Sequence, residues 1–150
     1  MSQTATVQNT AIVILAAGKG TRMRSAVPKV LHEIAGRPML GHVLASSLEA
    51  GASHLCLVTA PGQQEVRDYA LTQVPEISNC IQEDQLGTGD AVRAAMSALG
   101  GVARVVIMFG DTPLMRPDML RQLATSEADV CVLGFEPEDA AAYGRIIICL

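Results

Sequence analysis

"AIVILAAGKGTRMRSAVPK", Ala11 to Lys29, decides how the chain is read. Its first seven residues are apolar and rich in β-branched side chains, and Gly18 ends the run. A run this short, stopped by glycine, reads as a buried strand rather than a helix. A different chemistry follows: a turn with Gly18 and Gly20 and four cationic side chains, Lys19, Arg22, Arg24 and Lys29. These include both lysines of the protein. No acidic residue precedes Glu33, although the whole chain carries a net charge of −4. Positive charge is thus gathered on one loop at the end of a strand. That placement points to an anionic ligand at one site rather than to a generally charged surface.

Outward from this stretch, strand-like and helix-like patterns alternate. "RPMLGHVLASSLEAG" predicts a helix with Leu40, Val43, Leu44 and Leu48 on one face, stopped by Gly51. "HLCLVTA" predicts a strand ended by Pro61-Gly62, and "GQQEVRDYALTQ" a helix with Val66, Tyr69 and Ala70 on one side. A short strand near "SNCIQ" comes next. "GTGDAVRAAMSALGG" predicts a helix with Ala91, Val92, Ala95, Met96 and Leu99 sharing a face. "ARVVIMF" reads as a central strand buried on both faces, because its apolar character is continuous. "RPDMLRQLATSE" is a helix with Pro117 in its first turn. "DVCVLGF" and "YGRIIICL" predict two further strands.

This alternation implies a three-layer α/β/α, mostly parallel Rossmann-like sheet with helices on both faces. In such folds ligands bind at the carboxyl ends of the strands. Residues 1–10 are expected to form a disordered tail and residues 11–150 one domain. That domain is expected to be incomplete at its C-terminus, because the chain stops inside the apolar "IIICL".

The length of 150 residues suits a single core, which buries roughly 68–70% of the unfolded surface. The acidic balance and only four aromatic residues, two Tyr and two Phe, argue against nucleic-acid binding. No apolar run approaches the roughly 18 residues of a membrane span, and no targeting segment is evident. A cytoplasmic location is the expectation. The cysteines, Cys56, Cys80, Cys131 and Cys149, lie far apart and read as small buried hydrophobes in a reducing compartment. His32, His42 and His54 have no ligand spacing and read as packing residues. Glu83-Asp84 reads as a solvated pair, and the seven methionines as core filler.

The loop at Gly18 fails two familiar phosphate motifs. A P-loop requires a glycine five residues before the G-K pair, and none stands there. A dinucleotide fingerprint requires a third glycine where Met23 stands. What remains is a small-residue turn, Ala16-Ala17-Gly18, whose backbone amides can approach a ligand closely. Around it stand cations suited to phosphate oxygens. Taken alone, a solvated basic loop is the plainer alternative.

The longer stretch "LAAGKGTRMRSAVPKVLHEIAGRPM" resembles the signature of nucleoside-triphosphate-dependent sugar nucleotidyltransferases, roughly L-A-A-G-x-G-T-R-M followed by P-K. Within that family, P-K-V-L-H with G-R-P-M is most similar to the N-acetylglucosamine-1-phosphate uridylyltransferases. Their domain is usually the amino-terminal half of a bifunctional chain that ends in an acetyltransferase. The resemblance covers about residues 11–148. It implies transfer of a uridylyl group from UTP to N-acetylglucosamine 1-phosphate, with release of pyrophosphate, for cell-wall precursor synthesis. It also implies Mg²⁺, no nucleic-acid or membrane partner, and oligomers only through a missing C-terminal domain.

The resemblance assigns residues as follows. Arg22 and Lys29 are the catalytic charges. Leu15, Ala16, Ala17 and Gly18, with Lys29, hold nucleotide or substrate. "QEDQLGTGDA" resembles Q-x-x-Q-L-G-T-G and places Gln82, Gly87 and Thr88 at the nucleotide, Gln82 pairing with uracil through the donor and acceptor of its amide. Gln85 could act nearby. Gly87 and Thr88 open a helix whose free amides would face the ligand. "MFGDTPLM" places Phe109 and Gly110 at the substrate and Asp111 as metal ligand. Magnesium usually takes one or two carboxylates plus substrate phosphates. "AAYGRI" places the Gly144 backbone at the sugar.

Three features depart from the pattern. Asp90 stands where this group often has histidine, and Phe109 where tyrosine is common. The family domain also continues past residue 150, with further sugar contacts and a second metal ligand. Alternatives therefore stay open: a truncated, non-catalytic nucleotide-binding module, or a nucleotidyltransferase for another sugar or a molybdenum cofactor. A nicotinamide oxidoreductase is disfavoured by Met23.

Overall fold

The computed structural model describes residues 9–18, 20, 23–139, 143, 144 and 146. Its elements run β1 (Thr10–Leu15), β2 (Glu33–Ile34), β3 (Arg37–Pro38), α1 (Met39–Ala50), β4 (His54–Thr59), α2 (Gln64–Gln73), β5 (Ser78–Ile81), α3 (Thr88–Ala95), β6 (Arg104–Phe109) and α4 (Pro117–Thr125). Four strands pair in parallel in the order β5-β4-β1-β6. Thr10, inside the stretch expected to be tail, is already part of β1 and buried.

Alternate side chains of a strand point to opposite faces, and β1 serves two cores in this way. Ile12 and Ile14 join Leu55, Leu57, Val106 and Met108 beneath α1, α2 and α4. Ala11, Val13 and Leu15 join Cys56, Val58 and Cys80 beneath α3. Helices therefore cover both faces, as the alternation of elements implied. Each fully enclosed Leu, Ile or Val contributes about 1.5–3 kcal/mol of burial, set against the entropy of ordering the chain.

The chain leaves β1 outward to β4 and β5, then returns to β6 on the other side of β1. Between β1 and β6 the direction of winding reverses. Loops leaving the carboxyl ends of these two strands diverge, and a crevice forms there.

Several expectations need correction. "ARVVIMF" forms β6, but among the described residues it is an edge strand rather than a central one. Val105, Ile107 and Phe109 are 40%, 48% and 47% exposed; among the described residues the core beneath α3 draws on β1, β4 and β5 and not on β6. "DVCVLGF" forms no strand; Val130, Val132 and Phe135 are exposed along an open groove beside β6. The segment lines this groove together with β6 and pairs with no described strand. Of "YGRIIICL", Tyr143, Gly144 and Ile146 are not in a strand, and the rest lies outside the described residues.

Leu48 is exposed: at 3.6 residues per turn it stands about 80° from Leu40, at the margin of the buried stripe. Met96 is exposed because α3 ends at Ala95 and tightens into a 3-10 turn. Met23 is also exposed, whereas Met39 and Met108 are core. Cys131 is exposed, while Cys56 and Cys80 are buried with their sulfurs 3.3 Å apart. Burial first, and the hydrogen bond with Cys80 second, push the Cys56 thiol well above its ordinary range. The β2–β3 hairpin was not expected; Ala35 and Gly36 turn it with φ of 52° and 74°. Among the described residues no helix is long and apolar enough to cross a membrane.

Candidate active site

A cleft of about 360 Å³ opens at the carboxyl ends of β1, β5 and β6. Its floor is the exit of β1: Leu15, Ala16, Ala17 and Gly18. One wall comes from the β5–α3 connection: Gln82, Gln85, Gly87, Thr88 and Ala91. Lys29, Val30, Phe109 and Asp111 form the other.

The sheet ladders run past the strand ends and fix these loops. The Ala16 amide donates to the Val58 carbonyl (2.8 Å), the Gly110 amide to Leu15 (2.9 Å) and the Gln82 amide to Thr59 (2.8 Å). With the Ala16 amide so engaged, the Ala17 and Gly18 amides remain as the small-residue donors of the floor. Gly110 lies just beneath the cleft rather than lining it. A Cβ there would stand 3.1 Å from Val30 Cγ1 and 3.4 Å from Ala16 Cβ, so a side chain would push apart the two loops that flank Asp111.

Lys29 follows Pro28, whose extended backbone (ψ 138°) opens a single 3-10 turn, Lys29–Leu31. Val30 of that turn is buried and anchors it. The Lys29 ammonium forms an ion pair with the Asp111 carboxylate across 82 residues of sequence. Their side chains are 37% and 29% exposed. A pair this accessible contributes about 0–1 kcal/mol net. A ligand that separates the two charges therefore meets little resistance.

Gln82 is buried, so its amide requires partners. Its Nε2 donates to the Gly87 carbonyl and to Asp90 Oδ2, both at 2.9 Å. Both amide hydrogens are thereby engaged, and Oε1 is the polar atom left for a ligand. The sequence had suggested a donor and an acceptor together. Gly87 adopts φ 115°, a conformation that side chains resist, and this turns its carbonyl toward Gln82. The hydrogen bond from Gln82 first, then those from Arg93 and the Leu86 amide, hold the Asp90 carboxyl below the usual aspartate range. Gln85 spans the cleft mouth, its Nε2 donating to Ala17 O at 3.3 Å.

Of the residues singled out by sequence, the structure brings Leu15, Ala16, Ala17, Gly18, Lys29, Gln82, Gly87, Thr88, Phe109 and Asp111 to one cleft. Gly144 is exposed and does not line it. Arg22, like Lys19, lies outside the described residues. Val30, Ala91 and Asp90 were missed as site residues. Val30, beside Lys29 in the P-K-V-L-H stretch, and Asp90, which departs from the family pattern, carried a signal; Ala91 carried none.

Among the described residues no cluster of three or more His, Cys, Asp or Glu forms a metal cage. Asp111 belongs to no such cluster and holds the Lys29 cation, so it is an anionic position already occupied by positive charge. Magnesium bound mainly by substrate phosphates asks for no more than this.

The chain matches the family described as "MobA-like NTP transferase domain" over residues 12–144. It is 51% identical over 140 residues to "Bifunctional protein GlmU" of Parvibaculum lavamentivorans, covering 91% of this chain and 31% of that protein. It thus spans about a third of the length of the curated relatives it matches. Among solved structures it is similar to Rv0371c of Mycobacterium tuberculosis H37Rv in complex with manganese. That likeness has a TM-score of 0.62 at 27% identity, over 76% of this chain and 56% of that one. It is also similar to a nucleotidyl transferase from Methanothermobacter, with a TM-score of 0.64 at 25% identity, over 77% of this chain and 56% of that one. The match over residues 12–144 covers most of the chain, which belongs to the family of MobA-like NTP transferase domains.

Proposed function

We propose that the chain carries the nucleotide-transfer site of an N-acetylglucosamine-1-phosphate uridylyltransferase, joining UTP to N-acetylglucosamine 1-phosphate and releasing pyrophosphate. One observation carries this reading. At the point where the sheet reverses its winding, a small-residue loop, a buried glutamine amide and a lysine–aspartate pair line a single cleft. Likeness to bifunctional GlmU proteins supports the choice of substrates.

In this reading the Ala17 and Gly18 amides and the opening of α3 receive the nucleotide, and Gln82 meets the base. Lys29 turns from Asp111 to the phosphates, and Arg22, by resemblance, meets the departing pyrophosphate. Asp111 would hold Mg²⁺, which when bound supplies neutralisation of phosphate charge. The sugar-phosphate oxygen is already anionic and attacks the α-phosphorus in line, so the chain needs no general base. Its residues act by positioning and by charge complementarity.

The test is pyrophosphate release from UTP and N-acetylglucosamine 1-phosphate in the presence of Mg²⁺. Release that requires both substrates supports the proposal. UTP binding without release favours a second reading, a nucleotide-binding module, which the position of Gly144 away from the cleft also favours. Absence of both binding and release overturns the assignment.

A further inference from the structure

Asp90 does not line the cleft but holds a residue that does, Gln82, and the functional reading gives it no role. An amide side chain by itself does not discriminate, because rotation about its last bond exchanges oxygen for NH₂ at nearly the same place. Gln82 is denied that freedom. Its NH₂ faces two groups that can only accept, the Gly87 carbonyl and the ionised Asp90 carboxylate, each at 2.9 Å. Rotating the amide would set its oxygen against both acceptors and break both hydrogen bonds. Asp90 is itself held from outside by Arg93 (3.0 Å) and more weakly by the Leu86 amide (3.4 Å). The carboxylate is thus fixed in place and in charge.

We propose that Asp90 is a positioning residue that sets base selectivity by clamping Gln82 so that this side chain presents its acceptor alone. The proposal rests on the reading of this cleft as a nucleotide site. An acceptor at this point takes a base edge that offers a ring N–H, as uracil does at N3. It rejects cytosine, whose N3 is an acceptor. A base that meets an unpaired like group in a closed site loses the hydrogen bond and keeps its desolvation cost.

The test is titration of the full chain with UTP and with CTP, for wild type and for Asp90→Asn and Asp90→Ala. Asparagine keeps the shape of aspartate but can accept or donate, so it permits both settings of Gln82. The wild type is expected to prefer UTP, and Asp90→Asn to reduce the UTP:CTP affinity ratio roughly 10-fold or more. Asp90→Ala is expected to shift the ratio the same way. A purely structural role would weaken both nucleotides together and leave the ratio in place, and that result overturns the proposal. So does a wild type that binds the two nucleotides equally, although the cleft then remains a nucleotide site. A wild type that binds neither removes the nucleotide reading itself.

Discussion

β1 and β6 lie side by side, six residues each, and pair in register from Thr10–Arg104 to Leu15–Phe109. As sequence they are close: TAIVIL and RVVIMF. As structure they differ. β1 is buried from end to end, while every second residue of β6 faces outward. Among the described residues β1 has a strand on each side and helices over both faces, whereas β6 has one neighbouring strand and α4 over one face. Burial is therefore a property of a strand's neighbours, and composition alone does not report it. Their exits differ as well. β1 ends in small uncharged residues that offer backbone amides, and β6 ends in the carboxylate of Asp111.

The contrast at the exits gives the largest expected effect. Asp111→Ala should lower pyrophosphate release on the order of 10³-fold, the scale of losing one preorganised electrostatic group. Its melting temperature should stay close to wild type, since the pair with Lys29 is accessible to water. Undiminished release would mean that the charged exit of β6 does no chemistry.

Next in size is the core of β1. Ile14 is fully buried, and Ile14→Ala should cost about 2–5 kcal/mol, read by denaturant or thermal unfolding. Ile107 on β6 is half-exposed, and Ile107→Ala should cost about 1 kcal/mol or less. Equal losses at the two positions would show the outer face of β6 to be covered in solution and would end the contrast.

Much of this was legible in sequence because the signals were local. A short β-branched run marked β1, an apolar run ended by Pro61-Gly62 marked β4, and 3.6-residue periodicity marked α1 and α2. Pro117 marked the start of α4, which begins at that residue. Non-local facts were not legible. The two-residue strands β2 and β3 are too short for any period. The edge position of β6 follows from which strands pair beside it among the described residues, and "DVCVLGF" shows that an apolar run is not by itself a strand. At the site, Lys29 and Asp111 could each be singled out by motif, but not their pairing across the cleft. Asp90 looked like a departure from a pattern, and only the shared contact with Gln82 shows what it holds.

The flush register of β1 and β6 also makes strand length a ruler. Both strands end at the same level, so the loops to Gly18 and Asp111 start from a common baseline. Each residue of strand advances about 3.3 Å and alternates sides. Slipping β6 by a single position would carry Asp111 beyond the reach of Lys29 and turn Val106 and Met108 out of their core. Residues 126–139, which follow α4, are bound by no such ladder and line no part of the cleft.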